Sequence, residues 1–133
     1  MISTMTLATG LALGFAVATA VVVAFQAALA LGAPWGAWTM GGTVQGRLPP
    51  VMRVATFVQA LLLVALTAIV LSAAEEAVPG LVSTMPWIAW LPVAFSAVAV
   101  ILNAATRSLV ERRLWLPVAM VMLATSLGVA LVA

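Results

Sequence analysis

Few side chains in this sequence can do chemistry. Five arginines, Arg47, Arg53, Arg107, Arg112 and Arg113, and three glutamates, Glu75, Glu76 and Glu111, are the whole ionisable set. There is no Lys, Asp, His or Cys. Disulfides and thiolate chemistry are therefore excluded, and without His transition-metal binding has no natural ligands. No Ser-His or Cys-His nucleophile can be assembled from this chain. An enzyme needs a poised acid, base or metal. Glu111, in "VERRLW", is the one acid–base group among the arginines. A glutamate so placed is expected to form a salt bridge, with Arg107, Arg53 or Arg47. The chain is expected not to be an enzyme and to need neither cofactor nor metal. The high pI reflects five arginines and not a broad basic face, so nucleic acid is not an expected partner.

A second set of residues is polar without being charged. Gln26, Gln59 and Asn103 interrupt long apolar runs, with Thr56 on the face of Gln59 and Thr106 on the face of Asn103. Polar groups in such runs are expensive and point to function or to helix–helix bonding. As interhelical glue each amide contributes about 0.6 kcal/mol. As a vestibule, Gln26, Thr56, Gln59, Asn103 and Thr106 would bind a ligand or lipid. The arginines would then meet an anionic head group, since guanidinium matches phosphate bidentately. In the glue reading they set topology alone.

The elements that position these groups follow from composition. The chain has 133 residues, 66% hydrophobic and 6% charged. A soluble domain carries about 25% charged residues, so the solvent of this surface is lipid. Four apolar segments reach the roughly 20 residues that a bilayer core requires. They run over about 6–31, 54–74, 87–106 and 114–133, within a single domain. Ala18-Thr19-Ala20 resembles a signal-peptidase site, but no basic segment precedes it and the apolar run is long. The first span is expected to be retained. All five arginines fall between spans one and two or between spans three and four, and Glu75 and Glu76 fall between spans two and three. The positive-inside rule puts the arginine-bearing loops in the cytoplasm and both termini outside. Trp35, Trp38 and Trp115 then mark the inner interface, and Trp87 and Trp90 the outer one.

Four spans with short loops argue for an all-α, up-down transmembrane four-helix bundle. Gly10 and Gly14, followed by Ala18, supply a small-residue stripe for packing. "LPPVMRVATFVQALLLV" and "LPVAMVMLATSLGVALV" are faintly alike, as in a parallel duplication. One connection is too long for a turn: the inner loop over 32–53, which takes up most of "LGAPWGAWTMGGTVQGRLPP" and runs on to Arg53. Antiparallel helices need only about 2–8 linking residues. Its glycines permit tight turns, Pro49 and Pro50 mark the start of span two, and Trp35 and Trp38 hold it at the interface. It is expected to form a compact, partly re-entrant cap over the layer of amides.

"LGAPWGAWTMGG", "LPPVMR" and "NAATRSLVERRLWLPV" together resemble a family of small bacterial four-span integral membrane proteins that are uncharacterised. The resemblance covers most of the chain. It departs at Ala37, where relatives often carry a polar residue, and at Arg107, where they often carry proline. It implies four helices and a multi-pass place in the bacterial cytoplasmic (inner) membrane, and it brings no activity or site. The chain is also similar in size to proton-coupled exporters of the small multidrug type, but their buried carboxylate in the first helix is missing. A channel needs polar groups through its whole depth, whereas here they gather at one end. The expected role is a structural or accessory membrane subunit, within a homo-oligomer or a larger complex. The alternative is binding or transport of a lipid or amphiphile through a cytoplasm-facing vestibule.

Overall fold

The structure is a computed structural model and describes residues 4–132. Ala133, the expected end of the fourth span, lies outside the described residues. Five α-helices follow in order: α1 (Thr4–Ala30), α2 (Pro50–Ala73), α3 (Leu81–Thr84), α4 (Trp90–Ala105) and α5 (Leu109–Val132). Short 3-10 turns lie at Gly36–Trp38, Met40–Gly42 and Pro86–Ala89. Among the described residues the regular structure is all helical. Four stretches are long and apolar enough to cross a membrane: Met5–Ala30, Pro50–Ala73, Pro86–Ala105 and Leu109–Val132. They are apolar on every side, and Val17, Val51, Val54 and Leu131 are among many large aliphatic side chains facing outward. That suits a lipid solvent and no aqueous one.

Helix ends differ from the expected ones for local reasons. Pro50 takes the first helical position, where a missing N–H costs nothing, so α2 begins before Arg53 and includes it. Ser108 accepts the N–H of Glu111 through its Oγ at 3.2 Å. That is the N-cap half of a Ser-x-x-Glu capping box. Helix α5 therefore starts at Leu109, and Glu111, Arg112 and Arg113 lie in its first turns and not in a loop. Helix α1 closes with a Schellman motif: Ala33 N–H to Ala28 at 2.9 Å and Gly32 N–H to Leu29 at 3.1 Å. Gly32 supplies the required positive φ of 104°. Helix α2 closes in the same way, but Glu75 holds the left-handed position, at φ 60°.

Helix α1 packs along both α2 and α5, and α4 packs along α5; α2 and α4 make only slight contact. The α1–α5 seam is drawn close by glycine. A Cβ on Gly14 would stand 3.3 Å from Thr125, and one on Gly128 would stand 2.8 Å from Leu11. Gly10 faces open space, so the Gly10/Gly14 pair does not act as one packing unit. Phe15, Leu63, Met122 and Val129 anchor the core, with Ala8 and Ala12 allowing close approach around them. At the end holding Glu76, that carboxylate accepts the Thr9 hydroxyl at 3.1 Å, joining α1 to the turn after α2. At the other end the long connection over 31–49 folds down on the bundle.

Candidate functional site

Where α2 and α4 part, the four long helices leave a cavity of about 290 Å³, on the edge of the roughly 300–1,000 Å³ usual for ligand sites. Each helix contributes. Phe25 and Gln26 come from α1, Gln59 and Leu63 from α2, Ala99 and Asn103 from α4, and Glu111 and Trp115 from α5. Thr39 and Met40 close it from the long connection. Val98 and Leu102 also line it and are 54% and 64% exposed, so it opens on the outer flank of α4.

The three amides do not form one bonded cluster. One Asn103 side-chain N–H donates to the Ala99 carbonyl of its own helix at 2.7 Å, which leaves the second N–H and the carbonyl oxygen unspent. Gln26 is buried, 6% exposed, and its Oε1 is enclosed without a hydrogen-bond partner. Gln59 is half-buried and also lines the cavity. Thr56 and Thr106 do not line the cavity. The Thr56 hydroxyl turns back to the Arg53 carbonyl at 2.7 Å, the usual way a helical Thr satisfies itself. Thr106 ends α4, accepting Ser108 N–H at 3.2 Å and donating to Glu111 at 3.4 Å.

Glu111 does not take the expected arginine. Its carboxylate accepts the Gly41 N–H at 2.8 Å, along with the Thr106 hydroxyl. The guanidinium groups nearby are engaged by helix ends. Arg53 Nε donates to the Ala30 carbonyl at the close of α1 at 3.0 Å, and the Arg47 guanidinium lies against Gly32 beside it. Arg112 Nη2 donates to the Thr106 carbonyl at the close of α4 at 2.7 Å. C-terminal carbonyls carry the negative end of the helix dipole, so cations there are favoured. Arg47, Arg107 and Arg113 are exposed. None of the five lines the cavity. An anionic head group would thus find no guanidinium inside.

The cap is built from aromatic stacking and backbone bonds. Trp35 stacks on Phe25 at 5.9 Å and on Trp38 at 6.0 Å. Phe25 meets Trp115 at 4.6 Å, tilted by 50°. The Trp115 indole N–H donates to the Trp38 carbonyl at 2.9 Å, tying α5 to the connection. Gly36 sits where only glycine fits: a Cβ would stand 2.6 Å from the carbonyl oxygens of Val44 and Gly46. Met40, Gly41 and Gly42 all have positive φ, which carries the Gly41 N–H toward Glu111. For Met40, at φ 49°, this conformation costs about 1–2 kcal/mol. Trp35 and Trp38 brace the cap, while Thr39 and Met40 are its inner surface.

The sequence signal for Glu111 was present in "SLVE", a capping-box spacing, although its carboxylate leaves the box for Gly41. Trp115 and Phe25 carried no such signal, since an aromatic near an interface is commonplace. Among the described residues no three His, Cys, Asp or Glu side chains converge to hold a metal ion. A second depression, between α1 and α5 at Leu13, Val17, Pro117 and Val121, is almost wholly apolar and faces lipid. No protein-family model, curated protein or solved structure matches the chain. The site is therefore read from its own geometry.

Proposed function

We propose that this chain is a membrane-embedded binding protein for a small amphiphile, working without a catalytic step. The observation that carries the proposal is that Gln26, Gln59 and Asn103 line a cavity and do not bond to one another. Glue would satisfy Gln26, because an unpaired amide in a lipid-solvated bundle is a net cost. A functional site tolerates such a cost. The cavity is roofed by the connection and open on the α4 flank, so the occupant enters sideways from the bilayer between α2 and α4. Its polar head rests under Thr39 and Met40, and its chain lies along Val98 and Leu102.

In the same proposal the bundle runs up and down, with the arginine-bearing end in the cytoplasm and both termini outside, in the inner membrane of a bacterium. The segregation of five arginines to one end and of Glu75 and Glu76 to the other supports that orientation. The site then lies in the cytoplasmic half of the membrane. Native mass spectrometry of protein released gently from its own membrane tests the binding reading. One small amphiphile per chain is expected, lost in Asn103→Leu while the fold persists. A bare chain, or an adduct indifferent to Asn103→Leu, leaves the accessory-subunit reading in its place.

A further inference from the structure

The lining of the cavity says what kind of head group it takes, and it is the opposite of the one the arginines suggest. Glu111 is the sole ionisable group on the wall. Its bonds to Gly41 and Thr106 both engage Oε2, and among the described residues no bond is made through Oε1. Asn103 gives one side-chain N–H to the Ala99 carbonyl, and its own carbonyl oxygen adds an acceptor to the wall. Phe25 and Trp115, in contact at 4.6 Å, form an aromatic corner beside these groups. Ring faces attract cations, most strongly where water is excluded.

We infer that the bound amphiphile carries a cationic head group, an ammonium or a quaternary ammonium, seated between Glu111 and the Phe25–Trp115 corner. The inference rests on the binding reading above and deepens it. The five arginines make the surrounding surface positive, but three of them are exposed. Exposed charges are screened beyond about 8 Å in physiological salt. Arg53 and Arg112 are turned onto helix-end carbonyls. Glu111, by contrast, borders the cavity directly. The group in contact decides the sign of the ligand, while the arginines serve the helix ends and the outer surface.

The test uses the full chain in a neutral maltoside detergent. Tetradecyltrimethylammonium, tetradecyl sulfate and uncharged monomyristin are offered in equal amounts, and adducts are counted by native mass spectrometry. The ammonium is expected to exceed the sulfate by about tenfold or more, the worth of one close charge contact. Glu111→Gln keeps an oxygen for the Gly41 N–H and removes the charge, and it is expected to bring that ratio near one. Ala99→Phe, which fills the cavity, is expected to lose all three adducts. Sulfate binding that equals or exceeds ammonium binding overturns the inference, as does a ratio that Glu111→Gln leaves alone. If sulfate and monomyristin bind at least as well as the ammonium and Ala99→Phe removes them, the cavity reading stands and the cationic head group fails. If none of the three exceeds its level on Ala99→Phe, both fail.

Discussion

Replacing Gln26 by leucine separates a binding site from interhelical glue by the sign of one free energy. Gln26 is 6% exposed, and its Oε1 has no hydrogen-bond partner. Burying an unsatisfied amide costs about 1–3 kcal/mol by protein mutational data. Leucine has a similar size and no such group, so it removes the cost without opening a void. Gln26→Leu is expected to stabilise the ligand-free protein by about 1–2 kcal/mol. Were Gln26 glue, the same change would destabilise the protein, by about 0.6 kcal/mol on average. The assay is reversible unfolding in mixed micelles of neutral detergent and graded dodecyl sulfate, followed by tryptophan fluorescence. The same variant is expected to retain less amphiphile than the native chain. A loss of stability beyond about 0.5 kcal/mol means instead that Gln26 has a partner whose bond matters, and that it is glue. The combination expected, more stable and less able to bind, is the usual trade at a functional site.

Three further outcomes follow from the cap, the helix ends and the charge pattern. Gly36→Ala places a Cβ 2.6 Å from two backbone carbonyl oxygens; it is expected to cost about 1–3 kcal/mol and to speed proteolysis within residues 31–49. Glu75→Gly relieves a left-handed conformation at φ 60°; it is expected to stabilise the protein by about 1 kcal/mol in the same unfolding assay. Cysteines introduced at Thr43 and at Ser83, both exposed, are expected to react with an impermeant thiol reagent from opposite faces of the membrane. Thr43→Cys should label only when the cytoplasmic face is open, and reversed labelling would invert the orientation.

Much of the fold was legible because lipid makes it so. Apolar runs of span length can only be helices when every backbone group must be satisfied internally. Helical periodicity was enough to give Gln26, Gln59 and Asn103 similar depths, and the structure puts all three on one cavity. Thr56 shared that face by spacing but satisfies itself along its own helix, a choice that spacing does not reveal. Helices start earlier than a proline or a charge in the sequence suggests. Pro50 is helical because the first position needs no N–H, and "SLVE" starts α5 through Ser108. The short helix α3 and the left-handed Glu75 depend on how the turn between spans closes, which has no composition signature. Glu111 was the largest departure. Opposite charges nearby suggested an arginine, yet the helix-end carbonyls of Ala30 and Thr106 engage Arg53 and Arg112, and the Gly41 N–H comes to the carboxylate. Partner choice among such groups is decided by which helix ends the fold brings together, and that is long-range information.

The measurement that bears most directly on amphiphile binding in the cavity is photolabelling in the native membrane. A quaternary ammonium amphiphile with a photoreactive group near its head is added at low concentration, and the labelled peptides are sequenced. Labels are expected on Phe25, Met40, Asn103 and Trp115, the residues of the cavity wall and cap, and are expected to fade when unlabelled ammonium competes. Labels spread over outward-facing side chains such as Leu61, Val121 and Leu131, with the cavity residues unmarked and no competition, would contradict the account.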